Sequence, residues 1–269
     1  MTPTTYEREL QVARELAAQA GDAIMDVYFG RMEVTTKADK TPVTNADIRA
    51  NEIIVEGLQR HFPLDGIVSE EMSAIEGDRV WYIDPLDGTS GFTRRSDQFA
   101  VHIGLAVEEK AVLGIVYKPT TRECYYGVDG LGAYRANPRR SERLRVQQPG
   151  SRPRLIMDHD VLTHPQWQPI LARLQPGKVL TSGSEGLRIM KVAEGIADVH
   201  TNNSPTQCSS WDLCAPQVIA EQAGAYVRFT DDSPITYQRQ TKMGKMYVIA
   251  ASSDLGTHVA ALLNEQFGT

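Results

Sequence analysis

The chain has 269 residues, 41% hydrophobic and 23% charged, which is enough for one large domain or two smaller ones with a substantial core. A net charge of −6 argues against general affinity for nucleic acid, and no apolar stretch is long enough to cross a bilayer. The acidic N-terminal region lacks a signal-peptide segment, and the three cysteines form no CxxC pair. We therefore expect a cytoplasmic protein without a disulfide framework, a membrane partner or a nucleic-acid partner.

Helical periodicity comes first along the chain. Residues 5–29 carry apolar side chains at helical spacing and end at Gly30. After a polar loop over residues 35–44, residues 45–62 predict a second helix. Short apolar segments then predict strands at residues 67–68, 81–83, 100–107, 111–117, 123–127 and 132–134.

Residues 135–154 differ in composition from the segments on either side. They lack apolar periodicity and contain prolines together with Arg135, Arg139, Arg140, Arg143, Arg145, Arg152 and Arg154. We interpret the segment as an exposed, solvated connection, because the alternative of a nucleic-acid patch lacks aromatic residues and a positive net charge. Beyond it, strands and helices alternate, which indicates α/β layering. The predicted strands are residues 154–157, 178–180 and 246–251, and the predicted helices are residues 186–194, 212–223 and 257–267.

The segment WYIDPLDGTS, residues 81–90, is the most informative about chemistry. An apolar strand leads to Asp84, Pro85 interrupts strand pairing, and Asp87 follows just before Gly88 and two hydroxyl residues. Carboxylate oxygens suit Mg²⁺, and the backbone amides at a helix start can receive a phosphate. The alternative is a turn that only caps a helix.

Three further acidic positions lie where a turn or helix begins. Glu70 ends another short apolar segment, whereas its neighbour Glu71 is interpreted as solvated. Asp212 precedes an apolar helix. It is interpreted either as a metal ligand or as a simple helix cap, with Trp211 as a hydrophobic staple. Asp47 fits a capping box, which is structural by default. Four such acidic clusters together predict a site that binds metal and phosphate.

These motifs resemble the inositol monophosphatase-like superfamily of lithium-sensitive, magnesium-dependent phosphatases. The similarity covers nearly the whole chain and keeps the family's order and spacing, through residues 37–47, the Glu70-Glu71 pair, residues 84–89 and the Trp211-Asp212 pair. It implies an α/β fold, a layered α-β-α-β-α sandwich. The N-terminal α+β subdomain would span residues 1–148, and the C-terminal α/β subdomain would span residues 149–269.

Carried over position by position, the resemblance implies two Mg²⁺ ions and a third, weaker ion near Glu70. Glu70, Asp84 and the Leu86 carbonyl would hold the first ion, and Asp84, Asp87 and Asp212 would hold the second. Asp47, Glu70 and Thr89 would be catalytic, with Asp47 orienting the Thr89 hydroxyl that helps to place the attacking water. The residues on the substrate side would be Gly88, Thr89, Ser90, Gly183, Ser184 and Arg188.

Within the superfamily, residues 37–44 and 88–92, with Arg95 and Phe99, are most similar to the bacterial 3'(2'),5'-bisphosphate nucleotidases. Those enzymes remove the 3'-phosphate of adenosine 3',5'-bisphosphate. An inositol monophosphatase, or another phosphatase of small sugar or alcohol phosphates, is the alternative. Against inositol phosphate, residues 199–210 lack the glutamate that inositol enzymes usually carry there. Two differences count against the nucleotidase: Ser90 stands where those enzymes usually have a lysine, and Pro216 stands where they often have a small residue. The sequence therefore leaves the substrate open.

A non-catalytic regulator that binds metal or nucleotide is the alternative from another class. The chain keeps every predicted ligand side chain and Thr89, which favours an enzyme. The expected partner is a small phosphorylated metabolite, and the sequence leaves open a monomer or a homodimer.

Overall fold

The computed structural model describes residues 6–36, 42–202, 208–238 and 241–268, and the side chain of Asp160 is not described. Residues 37–41, part of the element assigned by resemblance, lie outside the described residues. So do residues 203–207, within the stretch compared with inositol enzymes.

The first half of the chain forms two long helices and one large sheet. Its helices are α1 (Glu7–Phe29), α2 (Asn45–His61) and the short α3 (Thr89–Thr93). Its strands are β1 (Val34–Thr36), β2 (Pro42–Thr44), β3 (Gly66–Ser69), β4 (Met72–Ile75), β5 (Arg79–Asp87), β6 (Ala100–Val107), β7 (Lys110–Lys118), β8 (Glu123–Val128), β9 (Gly132–Asn137) and β10 (Arg140–Arg143).

The second half alternates strands and helices around a smaller sheet. Its helices are α4 (His159–Thr163), α5 (Gln168–Leu174), α6 (Glu185–Ala193), α7 (Ser210–Gln222) and α8 (Ser253–Phe267), with a 3₁₀ turn at Pro165–Trp167. Its strands are β11 (Arg154–Met157), β12 (Lys178–Thr181), β13 (Val199–Thr201), β14 (Tyr226–Phe229) and β15 (Tyr247–Ala250).

The elements stack in five layers. The large sheet has the order β10-β9-β8-β7-β6-β5-β3-β4, with β3 and β5 parallel and its other pairs antiparallel. One face of it packs on α1 and α2, and the other packs on α7 beside α6. The small sheet, β12-β11-β13-β15-β14, lies beyond α6 and α7, and α5 and α8 cover its far face. The expected α-β-α-β-α sandwich is confirmed.

Most predicted elements are present with small changes in their bounds. The paired strands over residues 100–107 and 111–117 are β6 and β7. The missed elements are short, with β1 and β2 inside the expected polar loop. No helix in the described part of the chain has the length and apolar character needed to cross a bilayer.

The prediction of an exposed connection over residues 135–154 is wrong in its first part. Residues 135–143 form the end of β9 and all of β10, an antiparallel pair at the edge of the large sheet. The Arg135 guanidinium is mostly covered, because it pairs with Glu142 and, at 2.5 Å, with the buried carboxylate of Glu194. This arginine therefore ties the sheet edge to the end of α6. The proposed subdomain boundary at residue 148 falls in the connection between β10 and β11.

Helix α7 approaches the large sheet unusually closely. Gly104 on β6 and Gly114 on β7 are register partners. A Cβ on Gly114 would lie 2.1 Å from the carbonyl oxygen of Ala215, and one on Gly104 would lie 2.7 Å from Cys214 Sγ. The glycine pair thus makes a groove that fixes the helix carrying Asp212. Pro216 lies inside this helix, where it has no N–H to donate to the preceding turn.

Candidate active site

The carboxylates of the WYIDPLDGTS segment lie at the end of β5, where pairing with β6 becomes irregular. Asp84 opposes His102 and Asp87 opposes Ala100, so three residue steps on β5 match two on β6. Pro85, which cannot donate to the ladder, lies at this bulge. Asp84 is only 2% exposed, and its Oδ1 accepts the Leu86 N–H at 3.0 Å. The bulge brings two carboxylates of one strand to the same end of the sheet.

A cavity of about 660 Å³ opens at this end of the sheet. It is lined by nine of the residues predicted for the site: Glu70, Asp84, Leu86, Asp87, Gly88, Thr89, Ser90, Gly183 and Asp212. The predicted residues Asp47, Ser184 and Arg188 are buried and are absent from the lining. The structure therefore gathers residues of β5, α3 and α7, of the segment after β3 and of the loop before α6 around a single cavity.

The acidic side chains facing the cavity repel one another. Burial, followed by the charges of Glu70, Asp87 and Asp212, raises the pKa of Asp84 well above its usual range. Burial, followed by the charge of Asp87, also raises the pKa of Asp212 well above its usual range. Such a cluster of hard oxygen donors needs positive charge, and Mg²⁺ takes carboxylate and carbonyl oxygens. In donor chemistry and in electrostatics, these residues fit a magnesium site.

The carboxylates do not form a ready ligand shell. Within the described ranges, no three His, Cys, Asp or Glu side chains already surround one point as a metal would require. Asp84, Asp87 and Asp212 each accept hydrogen bonds from the protein instead. Asp212 Oδ2 accepts the Ser209 N–H at 2.6 Å, so Asp212 caps the helix as the third residue of a capping box, and Ser209, not Asp212, is the N-cap.

Asp87 is held by the start of α6. Its carboxylate accepts the Ser184 hydroxyl at 2.5 Å and the N–H groups of Gly186 at 2.8 Å and Glu185 at 3.1 Å. His102 Nε2 lies 3.1 Å from Asp87 Oδ2. Burial alone would raise the pKa of Asp87, but His102 and these hydrogen bonds lower it. The side chain is therefore fixed between the two sheets.

Thr89 and Asp47 meet at the cavity wall. The Thr89 hydroxyl lies 3.3 Å from Asp47 Oδ1 and 3.1 Å from the Leu86 carbonyl oxygen, either of which can accept its proton. The other Asp47 oxygen accepts the N–H and the hydroxyl of Thr44, which completes the predicted capping box of α2. Asp47 is thus fixed from one side and faces Thr89 on the other.

Gly88 joins β5 to α3 in a left-handed conformation, with φ of 91°. A Cβ there would also lie 2.5 Å from the Gln98 carbonyl oxygen. Only glycine allows both the turn and this close approach, and the turn puts Thr89 and Ser90 at the cavity.

Arg188 belongs to a buried network behind the cavity. Its guanidinium donates to the Glu185 carboxylate, to Asp158 Oδ2 at 3.2 Å and to the Ser182 carbonyl at 2.5 Å. Glu185 also accepts a hydrogen bond from the Tyr247 hydroxyl, and its Oε1 lies 2.6 Å from His200 Nε2. Burial alone would raise the pKa of Glu185, but Arg188 and His200 lower it. Contact between Arg188 and a substrate stays a prediction, because the guanidinium is 94% buried among these partners.

Several cavity residues have no counterpart in the sequence-based site. Arg94 and Gln98 follow α3 directly, and an exposed arginine so close to the motif was a usable signal. Asp158 follows β11 and His159 begins α4, whereas Thr181 ends β12 and Ser182 follows it. Their segments are far apart in sequence, and only the folded chain brings them to the motif.

A second cavity of similar volume, about 650 Å³, lies between α1 and the strands β7 to β9. It is lined by residues such as Leu10, Ala18, Tyr117 and Cys124 and contains none of the predicted site residues. The chemistry of the lining, and not the size, therefore selects the carboxylate cavity as the candidate active site.

Nearly the whole chain is similar in sequence and in fold to known phosphatases. Residues 5–266 match the sequence model of the inositol monophosphatase family. The 3'(2'),5'-bisphosphate nucleotidase CysQ of Salmonella typhimurium is 36% identical over 235 residues, covering 85% of this chain and 93% of the relative. A histidinol-phosphatase of Chlorobaculum parvum is 34% identical over 229 residues, covering 83% of this chain and 85% of the relative. The inositol monophosphatase structure from Anabaena (Nostoc) sp. PCC 7120 has a TM-score of 0.78 at 26% identity, with 97% of both chains covered.

Proposed function

Because the chain belongs to the inositol monophosphatase family of phosphomonoesterases, we propose that it is a Mg²⁺-dependent phosphatase that removes the 3'-phosphate of adenosine 3',5'-bisphosphate. The observation that carries the proposal is the cluster of Glu70, Asp84, Asp87 and Asp212 at one cavity, beside Thr89. The choice of substrate rests on the 36% identity to a relative named for this reaction.

The proposed assignment of residues to metal ions is the one that the family resemblance implies. Glu70, Asp84 and the Leu86 carbonyl would hold one Mg²⁺ ion; Asp84, Asp87 and Asp212 would hold a second; a third, weaker ion would lie near Glu70. Bound Mg²⁺ supplies positive charge for the phosphoryl oxygens and lowers the pKa of a water molecule. Asp84, which is shared between the two sets, would contribute to holding both ions.

The Asp47–Thr89 pair prepares the nucleophile. Donation of the Thr89 proton to Asp47 leaves the hydroxyl oxygen free to accept a hydrogen bond from the attacking water. Asp47 cannot turn away, because its other oxygen is held by the N–H and hydroxyl of Thr44. The pair therefore orients the water. Phosphoryl transfer depends on such positioning more than on covalent catalysis.

The substrate's phosphate groups have two places in the cavity. The backbone of Gly88 and Thr89 and the exposed hydroxyl of Ser90 would receive the phosphate that is cleaved. Arg94 is exposed at the same cavity and supplies a cation for the second phosphate of a bisphosphate. Gly183, whose N–H donates to the Gln98 side chain at 2.8 Å, completes the substrate side. Ser184 would act through Asp87, whose carboxylate accepts its hydroxyl, and direct contact between Arg188 and the substrate stays a prediction.

Histidinol phosphate is the second candidate substrate. A relative of this name is 34% identical and is matched over 85% of its length. Inositol 1-phosphate is the third, favoured by the fold of the Anabaena inositol monophosphatase. A non-catalytic regulator would keep the carboxylates but release no phosphate.

Three further properties belong to the same proposal. Lithium would inhibit by competing for a magnesium position. The location would be the cytoplasm, supported by three buried free thiols, Cys124, Cys208 and Cys214, which suit a reducing compartment. The assembly would be a monomer or a homodimer.

Phosphate release from a panel of esters, with and without Mg²⁺, tests the proposal. The panel contains adenosine 3',5'-bisphosphate, inositol 1-phosphate, fructose 1,6-bisphosphate and histidinol phosphate. The adenosine compound should have the highest kcat/KM. A preference for another ester would overturn the substrate, and release from none would support the regulator.

A further inference from the structure

A smaller cavity adjoins the active site. Its volume is about 250 Å³, and its walls share Gln98, Thr181 and Ser182 with the carboxylate cavity. We call it the side cavity. The side cavity and the carboxylate cavity are therefore neighbours, with these three residues at their common border.

The side cavity is apolar where the active site is polar. Its apolar lining comes from β8, β11, β12 and α6 and from the loop after α6, through Tyr125, Ile156, Leu180, Leu187, Met190 and Ile196. Ligand pockets with mainly apolar walls and a few polar groups bind ring systems. The volume lies just below the range of about 300–1,000 Å³ typical of drug-sized ligands, which suits one ring system better than a whole nucleotide.

The charged residues of the side cavity are balanced. Lys118 and Asp97, both in the lining, pair at 2.8 Å. Lys191 pairs with Glu194 at 2.8 Å, and Glu123 adds a further negative charge to the lining. A second phosphate would find each lysine already paired, whereas an uncharged ring would disturb neither pair. The cavity is thus better matched to a neutral ring than to an anion.

We infer that the side cavity binds the nucleobase of the substrate and thereby makes the enzyme select a nucleotide over a phosphorylated sugar or alcohol. The inference rests on the proposed function, since it assigns a place to the part of the substrate beyond the cleaved phosphate. Ile196 is the residue best suited to test it, because this apolar residue lines the cavity and is 43% exposed, so a polar replacement need not disturb the core.

The experiment compares Ile196→Asp with a matched control, Leu131→Asp. Leu131 is similarly exposed, at 48%, and lies in the turn between β8 and β9, outside every cavity described above. Each variant is assayed on adenosine 3',5'-bisphosphate and on the abasic 1-deoxyribose 3,5-bisphosphate, which carries the same phosphates without a base. A charge placed in an apolar subsite should raise KM about tenfold or more for the substrate that fills it.

The expected result is a KM for the adenosine compound raised about tenfold in Ile196→Asp, with kcat and the abasic substrate little changed. Leu131→Asp should match the wild type on both substrates. Equal effects on both substrates, or no effect on either, would overturn the nucleobase site while leaving the phosphatase intact. A wild type that hydrolyses another ester but not the adenosine compound would overturn the proposed substrate and this inference together.

Discussion

Ser184 donates its hydroxyl to Asp87 at 2.5 Å, although 97 residues separate the two in sequence. Asp87 ends β5 of the large sheet, and Ser184 is the N-cap of α6 beside the small sheet, with its oxygen accepting the Leu187 N–H at 3.1 Å. One hydroxyl group therefore both begins the helix and fixes a carboxylate of the proposed metal site. The two sheets are joined at the point where the chemistry is proposed to occur.

Replacing this hydroxyl separates its two roles. Ser184→Ala should lower the free energy of unfolding by about 1 kcal/mol, because α6 loses its cap. The variant should also need a higher Mg²⁺ concentration for half-maximal activity, because Asp87 loses its shortest hydrogen bond. Ser252→Ala is the matched control, since Ser252 caps α8 through Leu255 at 3.3 Å, far in sequence from the site. Thermal melts and Mg²⁺ titrations of activity are compared. An equal Mg²⁺ requirement in both variants would contradict a role for Ser184 at the metal site.

Asp84→Asn should abolish turnover, because this carboxylate is proposed to serve both magnesium ions. The same change should stabilise the metal-free protein at neutral pH. The Asp84 carboxylate has a raised pKa in the folded state. Its ionisation therefore destabilises the folded protein once the pH exceeds the pKa of an unfolded aspartate, about 3.9. Each kcal/mol relieved corresponds to a rise in Tm of about 2–4 °C.

The control for this variant is Asp78→Asn, which changes an exposed carboxylate just before β5. It should alter neither Tm nor activity. Addition of Mg²⁺ should raise the Tm of the wild type and of the control but not that of Asp84→Asn. Full activity in Asp84→Asn would remove the two-metal proposal.

Thr89→Ala should lower kcat about 100-fold, because the attacking water loses its orienting partner. KM should change little, and Thr89→Ser should keep most of the activity, since the hydroxyl remains beside Asp47. Thr93→Ala, which removes a hydroxyl bonded to the Ser90 carbonyl at 3.1 Å in the same short helix, is the control. If steady-state kinetics show equal losses for Thr89→Ala and Thr93→Ala, the Thr89 hydroxyl has no special role.

Gly114→Ala should destabilise the protein by about 1–3 kcal/mol, because the new Cβ would overlap the Ala215 carbonyl and push α7 from the sheet. Asp212, at the start of that helix, should shift with it and reduce activity. Gly150→Ala meets no atom within 4 Å and serves as the control. Denaturant unfolding measures both. An unchanged midpoint for Gly114→Ala would mean that the close packing contributes nothing.

The sequence contains most of the information that positions the proposed metal ligands. The apolar strand, Pro85 and the two aspartates predict a strand end, and the structure adds that β5 continues through the proline at a bulge. The capping box of Asp47 was predicted from local spacing alone. Local patterns of this kind are readable because they depend on neighbours within one turn.

Features that depend on distant partners were missed. Arg135 looks solvated in the sequence, but its partner Glu194 lies 59 residues away and buries it at a sheet edge. His102, wholly buried against Asp87, shows no local pattern that distinguishes it from any strand residue. The short strands β13 and β14 were missed too, although both pair with the predicted strand β15. Long-range pairing decides these features, and one sequence does not record it.

Phosphate release from adenosine 3',5'-bisphosphate, measured with Mg²⁺ and after its removal by a chelator, tests the central proposal most directly. We predict rapid release that requires Mg²⁺, exceeds release from inositol 1-phosphate and histidinol phosphate, and is inhibited by Li⁺. Release that continues without any divalent metal would contradict the metal site. No release from any of the esters would contradict an enzyme and favour a regulator that only binds metal or nucleotide.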